Sequence, residues 1–125
     1  MSKVLWLDEP EEHDYPAAKS FLSLICEPII VEQLLAKFRS AAVTQFKAKD
    51  IIRASQLARI TNQNFNVDQD LKKIEKGKSL SPILLIRGGG KLGTPLIIAD
   101  GYHRACAVYW NNEDDLIYAK IIDWN

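Results

Sequence analysis

Two short aliphatic runs, Ile83-Leu84-Leu85-Ile86 and Pro95-Leu96-Ile97-Ile98-Ala99, flank a glycine-rich link and constrain the fold more than any other feature of the chain. Each has the length of a strand and lacks the three-to-four spacing of a one-sided helix. The first, entered through Pro82 and followed by Arg87, should be buried on both faces. The link over residues 88–93 has turn composition, so the pair reads as a hairpin. Asp100-Gly101 stops the second strand, and residues 102–110 have the composition of a short helix whose Ala105, Ala107 and Val108 can lie close against a sheet. Asn111-Asn112 ends that helix, and Leu116-Ile117-Tyr118-Ala119-Lys120-Ile121-Ile122 supplies a further strand. A helix joining the last two strands is a crossover unit, which implies a mixed sheet.

Upstream of the hairpin the apolar period changes to that of helices. Tyr15, Ala18, Phe21, Leu22 and Ile25 recur every three or four residues, with Pro16 in a first-turn position; Glu27-Pro28 breaks the pattern, and Val31, Leu34, Leu35, Phe38, Ala41 and Ala42 resume it. This predicts a helical hairpin wide enough to cover one face of a small sheet. Residues 50–57 read as a short helix with Ile51, Ile52 and Ala54 inward, and a strand around residues 43–46 stays open. Residues 66–77 read as a helix capped by Asn66, with Asp68 and Asp70 in its first turn, a Val67, Leu71 and Ile74 stripe, and Lys76-Gly77 closing it. The expected architecture is α+β: a small mixed sheet with packed helices, made of an N-terminal helical extension (residues 1–44) packed on a domain over residues 45–125.

A chain of 125 residues holds one compact domain. Its 16 Lys and Arg balance 16 Asp and Glu, so it carries no overall electrostatic footprint for nucleic acid. No apolar stretch approaches the roughly 20 residues that cross a bilayer, and the acidic start (Asp8, Glu9, Glu11, Glu12, Asp14 against Lys3) is unlike a secretory signal. Cys26 and Cys106 have neither metal-ligand nor redox-pair spacing and are expected as reduced, packed thiols, one on the first helix and one on the crossover helix. These features point to the cytoplasm, with no membrane association and no metal site. Trp6, Trp110 and Trp124 read as packing at the edges of the core, and His13 as a surface residue.

One segment carries chemistry. Asp100, Gly101, Tyr102, His103 and Arg104 stand where a buried strand ends and a helix begins. The first amides of a helix lack internal partners and carry the positive end of its dipole; Gly lets a ligand come close, and Arg offers a two-pronged donor for phosphate oxygens. Asp100 could instead cap the helix and pair with Arg104, leaving no external partner needed. The glycine-rich residues 88–93 do not make a phosphate loop, because Thr94, Pro95 and a strand follow where such a loop needs Lys and a helix. Lys47, Lys49, Arg53 and Arg59 form a local basic stretch; Lys49, Arg53 and Arg87 are candidates to line a pocket.

The stretch from Ser81 to Arg87, the stretch from Leu96 through Asp100-Gly101-Tyr102-His103-Arg104-Ala105-Cys106-Ala107, and the closing strand resemble the ParB/sulfiredoxin-like domain over residues 46–122. Partition proteins of this kind carry Gly-Glu-Arg-Arg-x-x-Ala at a cytidine-triphosphate pocket, matched here by Gly101, Arg104 and Ala107. Sulfiredoxins carry Gly-Cys-His-Arg, matched by Gly101, His103 and Arg104, with Tyr102 at the catalytic cysteine position. ParB-like free serine kinases carry Asp-Gly-His-His-Arg, matched by Asp100, Gly101, His103 and Arg104. The resemblance implies a nucleotide phosphate at this turn.

The departures narrow what the resemblance implies. Tyr102 cannot form the sulfur intermediate of sulfinic-acid reduction, and Cys106 lies one turn further on. No helix-turn-helix follows the last strand, so DNA is not an expected partner without a further domain. The expected function is a small nucleotide-binding protein holding a nucleoside di- or triphosphate with Mg2+. The alternatives are a phosphotransferase using ATP or ADP on a small hydroxylated metabolite, with Asp50 or Glu75 as base, and a ligand-free module that docks a protein partner.

Overall fold

The computed structural model describes residues 2–88 and 93–125. The described residues form an α+β fold: helices α1 (Asp14–Leu22), α2 (Pro28–Ser40), α3 (Ala48–Ser55), α4 (Phe65–Glu75) and α5 (Tyr102–Asn111), and strands β1 (Thr44–Lys47), β2 (Ile83–Ile86), β3 (Ile97–Asp100) and β4 (Leu116–Ile122). The sheet is mixed, in the order β1-β4-β2-β3. β2 pairs antiparallel with β3 and parallel with β4, and β4 pairs antiparallel with β1. Central β2 is buried at every residue, as its unbroken aliphatic run requires.

The crossover through α5 differs from the simplest reading of a joined pair. It leaves β3 at the sheet edge, passes over β2 and lays β4 on the far side, so the parallel partner of β4 is β2 rather than β3. The strand left open around residues 43–46 exists as β1, immediately before α3. Most of its residues are exposed, so it lacks the apolar alternation that would have announced it.

Because side chains alternate along a strand, the sheet has two packed faces. On one, Ile83, Leu85, Ile98, Ile117 and Ala119 meet α3, α4 and α5; Ala105, Cys106, Ala107 and Val108 of α5 are fully buried there. On the other, Leu84, Ile86, Ala99 and Ile122 meet Tyr15, Ala18 and Leu22 of α1 and Val31, Leu34 and Phe38 of α2. The N-terminal segment is stitched to the chain entering β2: Trp6 bridges to Leu80, and Leu7 N–H donates to the Leu80 carbonyl at 2.9 Å.

Several local expectations need correction. α1 stops at Leu22, so Ile25 is exposed beyond it and Cys26 lies in the turn before α2, half-buried, rather than on the first helix; Phe21, on the last turn of α1, is exposed as well. α2 ends at Ser40, which leaves Ala42 exposed outside it. In α3 Ala54 is exposed and Ala48 and Ser55 take the inward places beside Ile51 and Ile52. The cap of α4 is Asn64, whose side chain accepts from Asn66 N–H and Val67 N–H, not Asn66; Asp70 accordingly falls beyond the first turn. The far end of α4 closes as read, on Gly77 at φ +71° with Lys78 N–H donating to Lys73 O. The β2–β3 turn expected over residues 88–93 lies mostly outside the described residues.

The tryptophans sit at edges: Trp6 stacks on Tyr118 at 5.6 Å, Trp110 is partly exposed with its indole N–H donating to Ile60 O, and Trp124 packs beside Ile122. Among the described residues no helix is long and apolar enough to cross a membrane.

Candidate functional site

β3 ends at Asp100, and Gly101 turns the chain into α5. Gly101 is the helix N-cap at φ +106°, a conformation other residues rarely adopt, and a Cβ there would lie 2.3 Å from Ile83 Cγ2. Sequence and packing agree on glycine at this position. No side chain caps α5, so its first amides have no side-chain capping partner.

The turn opens on a polar cleft of about 350 Å³. Its walls carry His103 and Arg104 from α5, Asp70 and Lys73 from α4, Ser81 before β2, and Glu11, His13 and Asp14 at the start of α1. On its other side the turn borders an apolar groove lined by Ala17, Phe21, Leu57, Leu96 and Ile97. Asp100, Gly101, Tyr102 and His103 belong to both walls.

Arg104 is engaged within the protein. One guanidinium nitrogen, Nη2, donates to Asp100 Oδ2 at 2.6 Å; the other, Nη1, donates to the Ser81 carbonyl at 2.9 Å and stands 3.5 Å from Asp14 Oδ2. Asp14 in turn accepts from the Ser81 hydroxyl and from Glu11 N–H, and Glu11 N–H also reaches Ser81 Oγ at 3.0 Å. Asp100 therefore pairs with Arg104 but does not cap the helix.

The three side chains at the centre of this cluster are largely shielded from water: Asp14 is 5% exposed, Arg104 13% and Asp100 17%. Burial pushes the Asp100 carboxyl up to about 6; Arg104 opposes the rise, while Asp14, by charge and by a hydrogen bond to the protonated form, adds to it. Burial also raises Asp70, against the pull of Lys73, Arg104 and His103.

The Tyr102 hydroxyl donates to Ala58 O, so it is engaged within the protein. Burial raises both the Tyr102 hydroxyl and the Cys106 thiol; the thiol is fully enclosed and accepts from Ile60 N–H at 3.4 Å, so it is a packing residue.

The other candidates are not at this cleft. Lys49 pairs with Asp114 and Arg53 with Asp50, and both line a separate hollow shared with Arg59 and Tyr109. Arg87 pairs with Asp123 at the end of the sheet. The reason is topological: α3 packs on α5 without contributing a residue to the cleft, and the residue after β2 leaves the sheet at the end opposite the turn. Asp50 is spent on Arg53, and Glu75 does not line the cleft.

The residues that sequence reasoning missed are Asp14, Ser81 and Asp70. Asp14 reads locally as one of several acids before a helix, and the contact that matters spans 67 positions. Among the described residues no three His, Cys, Asp or Glu side chains converge on a metal position. A Mg2+ ion in the cleft would need phosphate oxygens beside one or two of these carboxylates, the way Mg2+ is commonly held with nucleotides. Set against known proteins, the chain matches no protein family, no curated protein and no solved structure.

Proposed function

We propose that the protein binds a nucleoside di- or triphosphate with Mg2+, its phosphates seated at the turn of Asp100, Gly101, Tyr102, His103 and Arg104, in the manner implied by its resemblance to ParB/sulfiredoxin-like domains. The observation that carries this reading is the uncapped N-terminus of α5, opened by left-handed Gly101 onto a cleft that also presents Lys73, His103 and Arg104. Phosphate oxygens compete with Asp100 for the Arg104 fork. A carboxylate released from that fork then faces the cation that accompanies the phosphates. Turnover of the nucleotide onto a hydroxylated acceptor is the enzymatic form of the same reading, with Asp70 rather than Asp50 or Glu75 in position to take a proton.

The test is thermal unfolding with the common nucleoside di- and triphosphates, each with and without Mg2+. A ligand present at a hundred times its dissociation constant should add about 2.7 kcal/mol of stability. Lys73→Ala, at a solvent-facing wall of the cleft, should reduce that gain while leaving the ligand-free melting temperature unchanged. Absence of a shift with every nucleotide would discard the proposal. A second reading, a ligand-free module that docks a protein, draws support from the internal engagement of Arg104 and from Leu24, 84% exposed at the turn between α1 and α2.

A further inference from the structure

The cluster around Arg104 joins two parts of the protein that are distant in sequence. Asp14 opens α1, and through Glu11 N–H the same contacts hold the segment before it; Ser81 enters β2; Asp100 and Arg104 flank the turn into α5. Two carboxylates thus meet one guanidinium in a place largely closed to water, and the formal charges of these three groups do not cancel. A buried excess charge is costly, and the least disruptive way to remove it is to bind one proton.

We propose that Asp14, Asp100 and Arg104 form a proton-operated latch that fastens the start of α1 to the turn at α5, closed when Asp100 carries a proton and loosened when it does not. With the proton in place the cluster is neutral, and the Asp100 carboxyl can donate to Asp14 while still accepting from Arg104. Without it, Asp14 and Asp100 repel across the guanidinium they share, and the repulsion is relieved by letting the segment around Glu11 and Asp14 lift from Ser81. Lifting it widens the cleft, since Glu11, His13 and Asp14 are one of its walls.

The surroundings fit a switch near neutrality. Asp100 stands between the cleft and the apolar groove, and its burial there raises its carboxyl to about 6. Toward the cleft the charged or titratable groups are Arg104 and His103 of α5, Asp70 and Lys73 of α4, and Glu11, His13 and Asp14 at the start of α1. Asp70 pairs outward with Lys73 at 3.9 Å, and His13 lies 3.5 Å from Glu11 and 3.6 Å from Asp14. Both histidines border the same cleft, so the test separates them from Asp100.

The latch requires no nucleotide, and a phosphate would compete for Arg104, so the experiment uses the ligand-free protein. Carbon NMR of the Asp100 carboxyl should give a midpoint near 6, and hydrogen exchange, corrected for intrinsic rates, should show protection of Glu11 N–H falling about ten-fold between pH 5 and pH 7.5, because the open form keeps an ordinary carboxylate and pH 5 lies about one unit below the closed-form midpoint. Asp100→Asn, which keeps an acceptor for Arg104 but cannot titrate, should make that protection independent of pH; His13→Gln and His103→Gln should leave the pH dependence in place. In Asp14→Asn the Asp100 midpoint should move down toward the ordinary carboxylate range. An Asp100 midpoint near 4 in the unaltered protein, or protection of Glu11 N–H that does not change with pH, overturns the latch even if every variant fails to fold.

Discussion

The two faces of the sheet are built differently. The face under α3, α4 and α5 is apolar except for Ser55, which bonds within its own helix, and is closed by small side chains of α5 that let the helix lie against Ile83, Leu85 and Ile117. The face under α1 and α2 has an apolar centre around Phe38 and a charged margin. Lys120, 1% exposed, reaches Glu9 at 2.9 Å, the Tyr15 hydroxyl and the Arg39 carbonyl; Arg39 lies over the Tyr15 ring and pairs with Glu12; and Asp14 joins Arg104 and Ser81. One face is held mainly by buried area and shape, its ion pair Lys49–Asp114 lying at the exposed rim, so changes of pH or salt within the physiological range touch it little. The other is held by area plus ionic contacts, each of which answers to solution conditions. The N-terminal helices are thus the part of the molecule whose attachment can be adjusted.

Three substitutions test this contrast. Phe38→Ala empties the centre of the α1–α2 face and should cost about 3–5 kcal/mol in urea unfolding, enough to free α1 and α2 before the rest unfolds. A single cooperative transition with unchanged slope would show instead that the two faces unfold as one unit. On the opposite face Ala107→Leu should cost about 1–3 kcal/mol by overpacking, with no change in the exchange rates of α1. Spread of that damage to α1 would mean the faces are coupled through the sheet.

The smallest effect belongs to Lys120. Burial alone would lower its ammonium, but the bonds to Glu9 and Tyr15 outweigh that and hold it above the ordinary lysine value. Its contribution is therefore present through the neutral range and is lost as the pH rises past that value. Lys120→Met, of similar volume, should change stability at pH 7 by less than about 1 kcal/mol and remove part of the alkaline loss. A loss of several kcal/mol at pH 7 would make Lys120 indispensable to this face rather than an adjustable fastening.

How legible each feature was follows from the range of the forces behind it. β4 and the span of α5 could be read almost to the residue, because runs such as Leu116 to Ile122 and stops such as Asn111-Asn112 act locally. The end of α1 could not: the apolar spacing continues to Ile25, but nothing lies above Phe21 and Ile25 to bury them. β1 was left open because an edge strand paired on one side needs no apolar pattern. At the cleft, Gly101 and Arg104 announce themselves through backbone geometry and charge at a helix start. Asp14 and Ser81 do not, since their meaning arises only when residues far apart in sequence are folded together. Lys120 sits inside an otherwise apolar strand pattern, and what satisfies it comes from Glu9, Tyr15 and Arg39.

The strand order also bears on how the chain comes to be folded during its synthesis. β4 emerges after β1, β2 and β3, yet it lies between β1 and β2 and, among the described residues, is the one strand that pairs with β1. Until it arrives, β1 has nothing to pair with and the aliphatic β2 is covered along only one edge. The nascent polypeptide consequently cannot complete its sheet piecemeal from the N-terminus, and most of the tertiary structure must form in a late step after residues 116–122 have left the ribosome. Contacts closed over such long separations form slowly, so exposed β2 and β3 are the segments most open to mispairing in the interval.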